Sequence, residues 1–207
     1  MLAFSRIIGQ TGCRIMNWRE IAYLQKGTVR QRAAHDTLVD LDILARLRPF
    51  DPALVSTVCV DLDVPGSDLD VICEMRDESE FRATVENGYG ARRDFRMWQR
   101  DDGAVVAQFE TEAFPVEIFG KERPVQDQMA WRHLTAMKRL LNVEPRLRET
   151  VRAMKKEGVG TEPAFAKLLD LDGDPYEAML SLETATKEEL ADVCGRAMKN
   201  VTQRAGA

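Results

Sequence analysis

Asp68 and Asp70 alternate with Leu69 and Val71 in the run Ser67-Asp-Leu-Asp-Val-Ile72. On a strand, residues two apart project from one face. Both carboxylates therefore stand together while Leu69 and Val71 turn to the other side. Two unpaired carboxylates side by side repel and raise each other's pKa. A hard divalent cation such as Mg²⁺ relieves that repulsion through oxygen ligands. A third acid, Glu117, lies between Val116 and Ile118 in a later strand-like run. A charge among apolar neighbours is costly unless partnered. Either a metal shared with Asp68 and Asp70 or a salt bridge to Arg or Lys supplies the partner. Taken alone, an Asp-x-Asp tripeptide equally describes the polar face of an edge strand or an N-cap beside a turn.

The elements around these acids follow from periodicity and punctuation. Trp18 to Gln25 reads as a short helix. From Val29 to Leu47, Ala33, Ala34, Leu38, Leu41, Leu44 and Leu47 keep helical spacing, with Thr28 as the N-cap. Leu54 to Val60 and Leu69 to Met75 read as strands, with Gly66-Ser67 a turn before the second. Asp77-Glu-Ser-Glu80 opens a helix like a capping box. Phe95 to Gln99 and Ala104 to Phe109 flank Asp101-Asp102-Gly103, a hairpin signal. Phe114 to Phe119 is the strand that carries Glu117.

Beyond Gly120 the pattern is helical. A helix runs from near Pro124 to about Leu141, and another from Pro145 to Glu157-Gly158, where glycine is the expected terminator. Thr161-Glu162-Pro163 reads as an N-cap followed by a first-turn proline. Asp174-Pro175 repeats that device, and Thr186-Lys-Glu-Glu189 caps the last helix. Gly158-Val-Gly-Thr161 is read as helix punctuation rather than a phosphate loop.

Ser56-Thr57 after a strand, then Ser67-Asp68-Leu69-Asp70, then Val116-Glu117-Ile118 on a later strand resembles the nucleotidyltransferase superfamily, which includes DNA polymerase beta and the kanamycin nucleotidyltransferases. A longer set of stretches is similar to one bacterial family of nucleotidyltransferase-like proteins, a domain of unknown function. These are Lys26-Gly-Thr-Val-Arg-Gln31, Glu117-Ile-Phe-Gly120, Arg132-His133 and Thr161-Glu-Pro-Ala-Phe165. The resemblance covers nearly everything after Met16. It implies an α+β fold: a nucleotidyltransferase-like mixed β-sheet flanked by helices, followed by a C-terminal helical bundle. The expected division is an extension over 1–16, an α/β core over 17–121 and a helical region over 122–207.

The same resemblance implies a metal-dependent nucleotidyltransferase. Asp68, Asp70 and Glu117 would be catalytic and hold Mg²⁺ or Mn²⁺. Ser56, Thr57 and Ser67 would meet the phosphates of an NTP substrate, and Lys26, Arg30, Arg132 and Lys138 would offset their charge. Ser56 stands where the superfamily pattern has Gly, which lets backbone approach a phosphate closely. The acceptor hydroxyl is not named by any residue. The alternative is a noncatalytic nucleotide-binding or regulatory module on the same fold. Taken alone, Lys26, Arg30 and Arg32 equally describe a solvated helix start, and His133 a satisfied structural histidine.

Composition sets outer bounds. The chain has 207 residues, 44% hydrophobic and 30% charged, with a net charge of -5. An acidic balance argues against generic nucleic-acid coating, which wants a basic surface, while leaving room for a local basic channel. Cysteines at 13, 59, 73 and 194 include no Cys-x-x-Cys pair, so zinc is not expected. The scattered thiols suit a reducing cytoplasm. No apolar stretch approaches the ~20 residues of a membrane span, so no membrane partner is expected.

Overall fold

The structure, a computed structural model, describes residues 17–205. The extension expected over 1–16 lies outside the described residues. Five strands form one mixed sheet in the order β1-β2-β5-β4-β3: β1 (Ala53–Leu54), β2 (Leu69–Glu74), β3 (Arg96–Gln99), β4 (Val105–Glu110) and β5 (Pro115–Lys121). β2 and β5 run parallel, and the other pairs are antiparallel. The crossover between the parallel strands contains α3 (Glu78–Tyr89) and the β3–β4 hairpin, whose turn is closed by Gly103 at φ +80°. This is the expected α+β class.

β5 alternates half-buried and buried residues along its whole length. Leu69, Val71, Cys73, Val116 and Ile118 are buried. Phe81 of α3 lies so close over Gly120 that a Cβ there would meet its ring at 2.5 Å. Asp70, Ile72, Glu117, Phe119 and Lys121 line an open cavity on the side of the sheet that α3 does not cover. The helices α4 (Met129–Val143), α5 (Leu147–Lys156), α6 (Thr161–Leu169), α7 (Pro175–Ser181) and α8 (Lys187–Ala205) follow the last strand. One apolar cluster runs through both parts, from Trp18 and Leu54 through Ile118 to Leu134, Leu147, Phe165 and Ala197.

Three local expectations are corrected. The long helix from Val29 is two pieces, α1 (Val29–Asp40) and α2 (Ile43–Arg46). Asp42 breaks it at φ 52°, a left-handed conformation that a short polar side chain tolerates. The bend lets both Ile43 and Leu47 bury fully. The apolar run after Leu54 is not strand: Thr57–Val60 forms a 3-10 helix. Ser56 accepts from the Val58 N–H at its start, and Asp61 ends it at φ 60°. α6 begins at Thr161 itself, with Gly160 as its N-cap. Elsewhere the capping signals hold: Thr28 and Gln31 form a capping box, and Asp174 accepts from the Tyr176 and Glu177 N–H groups.

Candidate active site

The parallel register sets Asp70 opposite Glu117. Asp68, just before β2, lines the same cavity, so all three acids converge there. Gln108, the register partner of Glu117 on β4, donates to Glu117 Oε2 at 2.7 Å. Burial, then the charges of Asp68 and Glu117, push the Asp70 carboxyl up to about 8. The Ser56 hydroxyl is fully buried and donates to the Asp68 carbonyl at 2.6 Å. That bond ties the 3-10 helix to the approach of the acid strand. Ser67 accepts from the Val64 N–H at 3.0 Å, closing the turn before it.

The cavity measures about 540 Å³. The sheet forms one wall. His133, Leu134 and Met137 of α4, Lys155 of α5, and Thr161 and Glu162 of α6 form the other. Lys155 Nζ donates to Thr57 Oγ1 at 3.2 Å and to the Leu62 carbonyl at 2.9 Å. Burial lowers its pKa, against the pull of Asp63, Glu162, Asp68 and Asp70. His133 Nε2 meets the Tyr176 carbonyl at 2.9 Å, and Nδ1 lies 3.4 Å from Glu162 Oε1. Both ring nitrogens face acceptors, which selects the doubly protonated imidazolium. Burial opposes that charge, but the Glu162 hydrogen bond, the Tyr176 carbonyl and the Glu162 charge together outweigh it and the pKa is raised. Glu162 is held low in return: burial works the other way, but His133 and Lys155 prevail. Arg100, Lys121 and Arg123 stand at the opposite rim, with Lys121 2.7 Å from Asp102.

The residues expected around this site fall into two groups. Asp68, Asp70, Glu117, Thr57 and Ser67 line the cavity together. Ser56, Lys26, Arg30, Arg132 and Lys138 do not line it. Lys26 is exposed at the end of a 3-10 helix. Arg30 pairs with buried Asp63 at 3.1 Å and lies 3.9 Å over the Phe114 ring. Arg132 pairs with Glu183 at 2.7 Å. Lys138 is half-buried near Arg148, and burial lowers its pKa. The cations that reach the cavity, Lys155 above all, were not among those singled out. A signal for Lys155 exists: Leu147 and Val151 are buried, and Lys155 follows at the same four-residue step, which puts it on the inward face of α5.

Three carboxylates on a half-buried face suit a hard cation by donor chemistry. Among the described residues, however, no three His, Cys, Asp or Glu side chains are already gathered as a ready-made metal cage.

The domain of unknown function DUF4269 matches residues 36–182. The chain belongs to this family. The three acids and the 3-10 helix that approaches them all fall within the matched DUF4269 segment, as do Lys155 and Glu162. No curated protein matches the chain. Among solved structures, it is similar to the Cid1 poly(U) polymerase with MgGTP bound, at 19% identity and a TM-score of 0.46, over 76% of this chain and 49% of that one. It is similar also to the polymerase core of the TRAMP RNA surveillance complex, at 13% identity and a TM-score of 0.45, over 86% and 60%. A cytoplasmic RNA terminal U-transferase gives 21% identity and a TM-score of 0.43, over 69% and 40%. The DUF4269 chain thus spans less than two thirds of each. Each of these TM-scores lies below 0.5, so the likeness assigns no function to this chain. Among the described residues, no helix is long and apolar enough to cross a membrane.

Proposed function

We propose that this chain transfers a nucleoside monophosphate from an NTP to a hydroxyl acceptor, with Asp68, Asp70 and Glu117 as the catalytic carboxylates. One observation carries the reading: Asp70 and Glu117 are register partners on the cavity side of a parallel strand pair, with Asp68 beside them. Burial, and then the neighbouring acids, raise Asp70 to about 8. Perturbed carboxylates in a cleft mark candidate functional sites.

Asp68, Asp70 and Glu117 are the residues that would hold Mg²⁺ or Mn²⁺. Bound there, the ion supplies positive charge against the phosphate oxygens. The chain's own groups do the rest. Lys155, anchored by Thr57 and Leu62, presents a cation to the triphosphate from the helical wall. The Thr57 and Ser67 hydroxyls lie on the same lining and offer hydrogen bonds. The acceptor oxygen bonds to the α-phosphorus, the bridging bond to the β-phosphate breaks, and pyrophosphate leaves with the electron pair. The hydroxyl proton passes to Glu117 Oε1, since Oε2 already accepts from Gln108.

A second reading is supported by two particular observations: the absence of a ready-made metal cage among the described residues, and the use of Ser56 as a buried cap rather than a phosphate contact. On that reading the chain binds a nucleotide and performs no transfer. The test is a thermal-shift screen of the four NTPs with and without Mn²⁺, followed by release of pyrophosphate. Stabilisation that needs both NTP and Mn²⁺, with pyrophosphate formed when an acceptor pool is added, supports transfer. Stabilisation by NTP that is indifferent to Mn²⁺, with no pyrophosphate, supports the binding module.

A further inference from the structure

A single row of register partners crosses four strands: Asp70, Glu117, Gln108 and Arg96. It begins at the half-buried acids and ends on the edge strand β3. A second, smaller cavity of about 100 Å³ lies along this row, lined by Asp68, Glu117, Gln108 and Arg96 among others. Asp68 and Glu117 line both cavities. In-line displacement requires the attacking oxygen and the departing pyrophosphate on opposite sides of the phosphorus. Two cavities that meet at the carboxylates give each its own side.

The small cavity holds only a few water-sized groups, since one water occupies about 30 Å³ in the liquid. It admits a sugar hydroxyl and not a base. Arg96 is exposed and makes no ion pair among the described residues, while Asp94 and Glu110, which share its cavity, both lie within reach of Arg93, at 3.7 and 3.8 Å. Arg96 is therefore free to meet an anion. Two residues on along the same face is Trp98, 40% exposed, and two further is Arg100 at the rim of the main cavity. A cation and an exposed aromatic ring on β3, with a second cation just past its end, form the kind of surface that takes phosphate and base alternately.

Resting on the transfer reading above, we propose that the acceptor is the terminal nucleotide of a single-stranded nucleic acid. Its sugar hydroxyl enters the small cavity, its phosphate meets Arg96, and its base stacks on Trp98. Arg92, Arg93, Arg96 and Arg100 of this strip stand beside Asp94, Asp101, Asp102 and Glu110, so its charge is balanced locally, and Arg96 is a cation whose charge no ion pair among the described residues takes up.

The test is fluorescence anisotropy of a short mixed-sequence single-stranded RNA, labelled at its 5′ end, without added metal or NTP. The parent should bind it. Arg96→Ala and Trp98→Ala should each weaken binding roughly tenfold, and Trp98→Phe should keep most of it, because stacking survives. Arg196→Ala, an equal loss of charge on exposed α8, should bind like the parent. Melting temperatures of all variants identify any that fail to fold, and the two separate strip variants guard against losing one. A parent that does not bind, or Arg96→Ala and Trp98→Ala proteins that bind as the parent does, overturns the proposal. So does a free nucleoside monophosphate that competes as well as the oligonucleotide, which makes the acceptor a small nucleotide. The Mn²⁺- and NTP-dependent melting shift of the same proteins separates the two layers. If that shift is present and RNA binding absent, only the acceptor assignment falls; if the parent lacks the shift, the transfer reading falls.

Discussion

Asp70 and Glu117 face each other across the parallel β2–β5 pair, and nothing cationic from the sheet comes between them. Glu117 has a neutral hydrogen-bond partner in Gln108. The cation whose charge acts on Asp70 is Lys155, from the helical wall. The pair is thus held together by strand register, against its own electrostatics.

This arrangement fixes the sign of a pH effect. The Asp70 carboxyl sits at about 8, against an ordinary value of 3.8, through burial and then the neighbouring acids. The native state therefore keeps a proton that the unfolded chain has already released. Stability of the metal-free protein is fully present below the unfolded pKa and falls as pH rises towards the folded one. That loss should amount to roughly 1 kcal/mol or more between about pH 4 and pH 8. Asp70→Asn should flatten this part of the profile and leave the metal-free protein no less stable at the upper end. Mn²⁺ should stabilise the parent, most strongly at high pH, and the variant much less. Thermal melts of both proteins across the range decide it. A variant clearly weakened at every pH, beside a parent indifferent to Mn²⁺, would mean that Asp70 is a structural residue.

Lys155→Met keeps most of the side chain's length and removes its charge. It should weaken NTP binding roughly tenfold, the scale of a lost hydrogen bond to a charged group. Isothermal titration of an NTP with Mn²⁺ measures the change. Lys138→Met, which alters a lysine that does not line the cavity, should leave NTP affinity as it was.

Ser56→Ala should lower stability by about 1–2 kcal/mol, through loss of an N-cap and of the bond to the Asp68 carbonyl. Denaturant unfolding reads that loss. If Ser56 acts only through this bond, NTP affinity of the folded variant should stay close to the parent's. A large fall in affinity with unchanged stability would instead make the hydroxyl a phosphate contact.

Gly120→Ala should destabilise by about 1–3 kcal/mol, the range for overpacking a filled core, because its Cβ meets the Phe81 ring. Adding Phe81→Leu should recover part of the loss, and a double-mutant cycle on unfolding free energies measures the coupling.

The acids were legible because their signal is local. Asp68 and Asp70 sit two apart beside apolar residues, and Glu117 interrupts an apolar run, so period and cost of burial both speak from a few residues. Val55-Ser-Thr-Val-Cys-Val60 misled for the same reason. Its β-branched residues prefer strands, but Ser56 caps a 3-10 turn whose buried residues fill the core beside α4. Tertiary packing overrode propensity there. The cations were the least legible part. Arg30 and Arg132 carry the same charge as Lys155, yet they are drawn to Asp63 and Glu183, and sequence does not reveal which acid each will meet. Lys155 reaches Thr57 only because α5 folds back over the 3-10 helix, 98 residues away in sequence.

The apolar cluster shared by the sheet and the C-terminal helices bears on how this cleft can work. Leu134 and Met137 line the cavity and belong to the same core as Val71 and Ile118. The two jaws are therefore welded at their base, and no hinge can swing them apart without exposing that core. A guest would have to enter between walls that share one core. Selectivity for any guest would then reside in the side chains that ring the mouth.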